Sequence, residues 1–207
     1  MNKRCYIAGA GEFCERVLPE KGDYIIAADA GYDALVSRGI MPDLVVGDFD
    51  SLGKVPEHPN IVRSPVEKDD TDMMLAVKQG LKLGYEMFTI NGGLGGRLDQ
   101  TLANIQILSY LAENGARGTL LGQGICVTAI KNSEISFNSD EAHEGAISIY
   151  CAGGKAEGVT LKGLKYPLVN ATITNYYPIG VSNEFTGAPA VVKVNNGTLI
   201  IVWETGV

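Results

Sequence analysis

Hydrophobic positions in the first part of the chain form short runs separated by longer segments. Each run is too short for a helix and is followed by Gly or Asp, which is typical of strands buried on both faces of a sheet. The predicted strands are 5–8, 24–28, 44–46, 87–90 and 119–121.

The segments between these runs carry apolar residues at helical spacing. Met74, Val77 and Leu81 predict one helix after Thr71 and Asp72. A second helical stripe consists of Leu98, Leu102, Ile105, Leu108 and Ala112. Strands that alternate with helices predict an α/β fold, here a mostly parallel, Rossmann-like sheet with flanking helices.

From about Ile125 onward, apolar and polar residues alternate, which predicts strands of a C-terminal antiparallel β-sandwich. The predicted strands are 133–137, 146–150, 158–161, 171–174, 191–194 and 199–203. Asn195, Asn196 and Gly197 predict a type I′ hairpin between the last two strands. We therefore expect an α/β domain at 1–127 and a β-sandwich at 128–207.

Composition and charge exclude some functions. The chain has 207 residues, a net charge of −7 and a pI of about 4.9, so it lacks the basic excess that nucleic-acid binding needs. No apolar run is long enough to span a bilayer and no signal-peptide core opens the chain, so we expect a cytoplasmic protein. The four cysteines form no Cys-x-x-Cys pair, and we expect them to be reduced and buried.

Acidic residues follow the predicted strand at 44–46. Asp48 and Asp50 are two residues apart, so in an extended chain their side chains point the same way. The carboxyl ends of parallel strands are where ligands bind, and two adjacent carboxylates favour a hard divalent cation. A solvated acidic turn is the alternative.

The segment KDDTD at 68–72 precedes the first long helix. Thr71 and its neighbouring acids are favourable at the N-terminus of a helix, so helix capping explains part of this acidic segment. Three acids in four residues exceed what capping requires, however, and Lys68 is placed to offset them or to reach a phosphate. A helix start is also a phosphate-binding site when it faces a crevice.

Two glycine-rich segments follow predicted strands. The sequence GGLGGRLDQ at 92–100 contains no Walker A lysine, but its glycines allow close approach to a polyphosphate, and Arg97 offers it a bidentate guanidinium. The sequence GAGEFC at 9–14 imitates a dinucleotide-binding fingerprint without its third glycine. For this segment we favour a simple glycine turn that joins a strand to a helix.

The candidate residues converge on one edge of the predicted sheet. Four strand ends contribute Asp29, Asp48 with Asp50, Thr71 with Asp72, and Arg97 with Asp99. The two histidines have no metal-ligand spacing, and no Gly-x-Ser-x-Gly elbow occurs. The sequence therefore predicts an acidic crevice for a metal-bound polyphosphate.

The same motifs, taken in order, carry a family resemblance. They are ADAG at 28–31, PDLVVGDFDS at 42–51, DTD at 70–72, GGRLD at 95–99 and SNE at 182–184. This series resembles the thiamine pyrophosphokinases and covers almost the entire chain. The resemblance implies transfer of a diphosphate from ATP to the hydroxyl of thiamine, giving thiamine diphosphate and AMP, with Mg²⁺. It also implies a homodimer whose active sites lie between subunits.

The resemblance also assigns roles to the residues that hold the phosphates. It implies that Asp29, Asp48, Asp50 and Asp72 hold magnesium and the diphosphate, with Asp48, Asp50 and Asp72 as the metal ligands. Thr71 would contact phosphate oxygens.

Further residues are expected on the organic parts of the substrates. By resemblance, Arg97, Asp99 and Gln100 line the nucleotide or thiamine side, and Ser182 with Asn183 seats thiamine. Lys68 is expected on the phosphates.

The chemistry needs few further groups. Phosphoryl-type transfer depends on positioning and charge stabilisation, so no covalent nucleophile is required. An acidic crevice attracts thiamine, which is a cation. The attacking hydroxyl must lose its proton, and Asp72 and Asp99 are the candidate bases. Two other hypotheses remain open: a kinase of another small alcohol, and a non-catalytic module that senses nucleotide or thiamine.

Overall fold

The structure, a computed structural model, describes residues 4–49, 56–63, 69–138 and 145–205. It divides into two compact units. One comprises Met1–Ile107 with Gly118–Gln123, and the other comprises Leu108–Arg117 with Gly124–Val207. The domain boundary that we placed between residues 127 and 128 stays a prediction.

Up to residue 121 the chain alternates strands with helices. The elements are β1 (Arg4–Ala8), β2 (Tyr24–Ala28), α1 (Gly31–Val36), β3 (Leu44–Gly47), β4 (Ile61–Arg63), α2 (Asp72–Lys82), β5 (Met87–Asn91), α3 (Leu98–Glu113) and β6 (Arg117–Leu121). The strands lie in the order β6-β5-β1-β2-β3-β4. The pairs β5–β1, β1–β2, β2–β3 and β3–β4 are parallel. The predicted α/β fold with a mostly parallel sheet is confirmed.

The predicted strands form because their apolar runs are buried on both sides. Every residue of β3 is buried, as are the last four residues of β1. One cluster of buried side chains consists of Tyr6, Ala8, Ala27, Leu35, Val45 and Phe49. The sequence analysis missed α1 and β4, because six and three residues respectively are too few to display a period.

The buried face of α2 differs from the predicted stripe. Met73, Ala76, Val77 and Gly80 are its buried residues, so of the predicted set only Val77 belongs to the core face. A Cβ on Gly80 would lie 2.5 Å from Cε1 of Phe88. The helix therefore packs on the sheet through its small residues, which a search for large apolar side chains overlooks.

The predicted stripe of α3 is wrong in its first half. Leu98 and Leu102 are 71% and 55% exposed, whereas Ile107, Leu108 and Leu111 are buried. Asn104, a polar residue, is also buried. The first turns of α3 thus turn a polar face inward, and the physical reason lies in the cavity described below.

The second part of the chain consists of two antiparallel sheets. Its strands are β7 (Ile125–Lys131), β8 (Glu134–Phe137), β9 (Ala146–Cys151), β10 (Lys155–Lys162), β11 (Leu168–Thr174), β12 (Gly180–Glu184), β13 (Ala190–Lys193) and β14 (Thr198–Glu204). They are ordered β12-β9-β14-β7 in one sheet and β11-β10-β13-β8 in the other. Phe137 of β8 meets Trp203 of β14 edge-on, with ring centroids 5.5 Å apart. The predicted antiparallel sandwich is confirmed.

The predicted hairpin at 195–197 is wrong. β13 pairs with β8 and β10, whereas β14 pairs with β7 and β9, so the turn crosses from one sheet to the other. The N–H groups of Asn195 and Asn196 both donate to the carbonyl of Glu157 at 3.1 Å. An Asn-Gly pair indicates a tight turn, but it does not determine which strands pair on either side.

The cysteines are as expected. Cys5, Cys14, Cys126 and Cys151 are free and buried. Burial raises the pKa of the Cys5 thiol to about 12, which keeps it protonated at neutral pH. Among the described residues, no helix combines the length and the apolar character needed to cross a membrane.

Candidate active site

Two aspartates lie at the carboxyl ends of neighbouring parallel strands. Asp29 follows β2, Asp48 follows β3, and the N–H of Asp29 donates to the carbonyl of Val46 at 2.9 Å. A Cβ on Gly47 would lie 3.3 Å from the Cα of Asp29. Asp29 and Phe49 have φ angles of 49° and 66°, a conformation that is uncommon outside glycine and that clusters at functional sites. The strand ends therefore bring both carboxyl groups to one edge of the sheet.

The start of α2 lies at the same edge. Thr71 is the N-cap, and its Oγ1 accepts a hydrogen bond from the N–H of Met74 at 3.1 Å. Asp72 is the first residue of the helix, where the helix dipole stabilises its charge. The capping role of Thr71 is thus confirmed. A hydroxyl that accepts one bond can still donate its hydrogen, so the cap does not preclude phosphate binding.

Two glycine-containing loops are joined by backbone hydrogen bonds. The bonds run from Gly9 N–H to the Asn91 carbonyl at 2.7 Å, from Gly11 to Gly92 at 2.7 Å, and from Glu12 to Leu94 at 3.1 Å. Gly92 has a φ of 72°, and a Cβ there would lie 2.4 Å from the carbonyl oxygen of Gly9. Only glycine permits this approach.

The first of these loops does not lead into a helix. The chain runs from β1 to β2 without one, so the expected strand–turn–helix at 9–14 is wrong, and so is the dinucleotide interpretation. The fully buried Asn91 holds the loop instead. Its Oδ1 accepts from the N–H of Cys14 at 2.8 Å, and its Nδ2 donates to the hydroxyl of Tyr6 at 2.8 Å.

The start of α3 contributes three polar side chains. Gln100 and Asn104 are four residues apart and share one face of the helix, and Arg97 immediately precedes the helix. The guanidinium of Arg97 forms an ion pair with Asp99, with 3.1 Å from Nε to Oδ1 and 2.5 Å from Nη2 to Oδ2. The hydrogen bond with Arg97 lowers the pKa of the Asp99 carboxyl.

These elements enclose a cavity of about 670 Å³, a size typical of sites for organic ligands. Of the predicted site residues, it brings together Asp29, Asp48, Thr71, Asp72, Arg97 and Gln100. The walls include the backbone of Gly9, Gly11, Gly92 and Gly93. The site is therefore acidic at the strand ends and bounded by glycine backbone.

Other predicted site residues lie elsewhere. Asp99 is not part of the cavity lining but faces Arg97. Asp50 and Lys68 lie outside the described residues. Ser182 and Asn183 belong to β12 in the second unit.

The side chain of Asn183 binds backbone. It is 3% exposed, and its Oδ1 accepts from the N–H groups of Tyr166 and Glu184, each at 2.9 Å. Its Nδ2 donates to the carbonyl of Tyr166 at 2.7 Å. Ser182 has a φ of 59°, and its N–H donates to Oγ of Ser148 at 3.1 Å. Asn183 therefore positions Tyr166, whose side chain is 57% exposed.

We expect Asn183→Ala to destabilise the second unit by about 2–3 kcal/mol, because it leaves two N–H groups and one carbonyl without their partner. Thermal unfolding would measure this as a fall of several degrees in Tm. Lys165→Ala is the matched control, since it removes an exposed ion pair with Glu184 and a contact with the exposed Tyr166 ring and should cost about 1 kcal/mol or less. Equal losses in both variants would contradict the anchoring role of Asn183.

Sequence reasoning missed the glycine turn at 9–11 as a wall of the cavity, and it also missed Met73 and Asn104. Met73 follows Asp72 in α2, and Asn104 lies one turn beyond Gln100 in α3; both line the cavity. The signal for Asn104 is its four-residue spacing from Gln100 on one helix face. A search for apolar stripes discards it.

The donors at the acidic end suit a hard cation. Asp29, Asp48 and Asp72 all line the cavity, although within the described ranges no three His, Cys, Asp or Glu side chains form a ready metal cluster. Mg²⁺ is commonly held by one or two carboxylates, with water and substrate phosphates completing its shell. The donor set therefore fits a cation that is bound together with a phosphorylated ligand.

Carboxylates, an arginine and glycine backbone at the carboxyl edge of a parallel sheet are typical of α/β proteins that bind phosphorylated ligands. Residues 16–120 match the family described as thiamin pyrophosphokinase, catalytic domain, and residues 132–199 match its vitamin B1 binding domain. The chain belongs to the thiamine pyrophosphokinase family.

Individual relatives agree with this assignment. A thiamine pyrophosphokinase of Bacillus subtilis is 30% identical over 186 residues, which is 87% of this chain and 86% of the relative. The crystal structure of thiamine pyrophosphokinase from Bacillus subtilis has a TM-score of 0.84 at 26% identity, covering 99% of this chain and 100% of that one. A thiamin pyrophosphokinase family protein from Enterococcus faecalis has a TM-score of 0.83 at 25% identity, with the same coverage.

Proposed function

We propose that this protein is a thiamine diphosphokinase, which transfers a diphosphate from ATP to the hydroxyl of thiamine and releases AMP. Family membership supports the activity. One structural observation supports its location: six predicted site residues of the first unit line one acidic cavity walled by glycine backbone, namely Asp29, Asp48, Thr71, Asp72, Arg97 and Gln100. The negative charge there also attracts the thiamine cation.

We propose Mg²⁺ as the cation of this site, with Asp48, Asp50 and Asp72 as its ligands. When bound, Mg²⁺ would neutralise charge on the diphosphate that is transferred. Asp29 and Lys68 are proposed to complete the phosphate surroundings. The carboxylates of Asp48 and Asp72 in the cavity lining support this assignment.

Two further residues are proposed to bind phosphate oxygens. The hydroxyl of Thr71 accepts a hydrogen bond within its own helix and donates to the phosphate. The guanidinium of Arg97 exchanges the carboxylate of Asp99 for a phosphate, since each offers two oxygens that accept bidentate hydrogen bonds from the planar guanidinium. Gln100 lies beside Arg97 on the organic side of the ligand.

The reaction requires one proton acceptor. The thiamine hydroxyl oxygen attacks the β-phosphorus of ATP, the bond between the β-phosphorus and the bridging oxygen of AMP breaks, and AMP leaves with that electron pair. We assign the hydroxyl proton to Asp72, which lines the cavity. Asp99 is the poorer candidate, because it is not part of the cavity lining.

The second unit is proposed to take part in binding thiamine. Ser182 and Asn183 lie on this side, and Asn183 acts through the backbone of Tyr166. A homodimer and a cytoplasmic location, both expected from the sequence, remain proposals. Exposed large side chains of the second unit suit a subunit contact: Tyr166, Val169, Tyr176, Tyr177 and Ile179.

Purified protein given ATP, Mg²⁺ and thiamine is expected to release AMP and thiamine diphosphate in equal amounts, measured by liquid chromatography. Excess chelator should abolish turnover, and added Mg²⁺ should restore it. Release of ADP would indicate transfer of a single phosphoryl group, and binding without turnover would indicate a sensor. Either result contradicts the proposed function.

A further inference from the structure

Asn104 is a buried carboxamide whose orientation is fixed by its neighbour. It is 6% exposed and lines the cavity. Its Nδ2 donates to the carbonyl of Gly93 at 2.8 Å. A carbonyl oxygen can only accept, so the amide nitrogen must face Gly93, and Oδ1 must point away from it.

The other end of this carboxamide lacks a partner. Oδ1 of Asn104 is buried and accepts no hydrogen bond from any described residue. Buried acceptors of this kind are nearly always paired. Because a carboxamide oxygen is only an acceptor, its missing partner must carry an N–H or O–H group. Ionised phosphate oxygens are acceptors as well, so the phosphates of a ligand do not qualify.

The position of Asn104 indicates which part of a ligand reaches it. Gly93 follows β5, whereas Asp48 follows β3, three strand spacings away in the sheet order, or about 14 Å. Gln100, one helical turn before Asn104, also lines the cavity at this end. Asn104 therefore belongs to the end of the cavity that is far from the Asp48 carboxylate, which suits an organic ring better than a metal ion.

We propose that Asn104 determines specificity in this cavity, with its Oδ1 accepting a hydrogen bond from an exocyclic amino group on the heteroaromatic ring of a bound substrate. The inference rests on the proposed function, whose two substrates both carry such a group. Adenine has one on its purine ring, and thiamine has one on its pyrimidine ring.

Binding of matched ligand pairs tests this assignment. Isothermal titration compares ATP with inosine triphosphate and thiamine with oxythiamine, because in each second ligand an oxo group replaces the amino group. We expect the wild type to prefer the amino ligand by about ten-fold or more in one pair. Asn104→Ala should reduce that preference to about three-fold or less and leave the other pair unchanged. The pair that responds identifies the ring.

Two further variants keep the test decisive. Asn104→Ser replaces the alanine variant if circular dichroism shows that the latter has lost its fold. Gln106→Ala, an exposed position on the same helix, should retain the wild-type preference.

The inference is overturned if the wild type has no preference in either pair. It is also overturned if the preference survives substitution, which would mean that Asn104 only holds Gly93 or binds a water molecule. Absence of AMP release by the wild type overturns the proposed function instead, and the binding preferences are measured independently of turnover.

Discussion

Asp48→Asn is expected to lower turnover by about 10²–10³-fold with little change in stability. The substitution keeps the size of the side chain but removes one of the charges that the cavity offers to a cation and its phosphate ligand. Asp48 lies at the end of β3 beside Asp29, so the loss should appear in kcat and in the Mg²⁺ concentration required for half-maximal rate. Steady-state kinetics over a range of Mg²⁺ concentrations measures both.

Asp33→Asn is the matched control for Asp48→Asn. Asp33 is an exposed carboxylate in the first turn of α1 and is not part of the cavity lining. The substitution Asp33→Asn removes one negative charge from the same unit, as Asp48→Asn does. Because this charge lies outside the cavity, turnover and Mg²⁺ dependence should be almost unchanged. Unimpaired kinetics of Asp48→Asn, or equal losses in the two variants, would remove Asp48 from the proposed metal site.

Gly92→Ala is expected to destabilise the first unit by about 3–5 kcal/mol and to impair ATP binding. Its φ of 72° is strained for alanine, and its Cβ would lie 2.4 Å from the carbonyl oxygen of Gly9, which is backbone and cannot move aside alone. The two glycine loops would have to separate. Thermal unfolding should record a fall in Tm of about 10 °C, and calorimetry should record weaker binding of ATP.

Gly39→Ala separates backbone strain from the clash. Gly39 has the same φ of 72°, but a Cβ there meets nothing within 4 Å. This variant should cost only about 1–2 kcal/mol and should leave ATP binding intact. If the two variants lose equal stability, then the close approach of the glycine loops is not what Gly92 provides.

Most of the fold could be predicted because its strands carry a strong local signal. The runs that became β1, β2, β3 and β5 are apolar except for Thr89, as burial on both faces favours. The pairing of strands in the second part of the chain was harder to predict from the sequence. The turn at Asn195–Gly197 is tight, yet its partner is Glu157 of β10, a strand far away in the sequence. Local turn chemistry carries no information about that choice.

The positions of site residues that follow strands could be predicted from the sequence. The prediction failed for residues whose position depends on a side-chain contact. Asp29, Asp48 and Asp72 converge as expected, because parallel strands and the helices that follow them present their ends at one edge. The pairing of Asp99 with Arg97 and the burial of Asn183 under Tyr166 depend on side-chain geometry. The inward polar face of α3 was missed for a similar reason. The buried side chain of Asn104 is satisfied by a hydrogen bond to the carbonyl of Gly93, which the sequence does not reveal.

The hydrogen bonds between the two glycine loops also determine when the cavity can form during translation. Asn91 binds Cys14, 77 residues earlier, and Tyr6, 85 residues earlier. Closing loops of this length is slow compared with forming a local helix. A nascent chain that has completed only β2 and β3 already carries Asp29 and Asp48, but it has no opposite wall. A nucleotide bound as proposed would therefore stabilise the protein only after β5 and the glycine loop have left the ribosome.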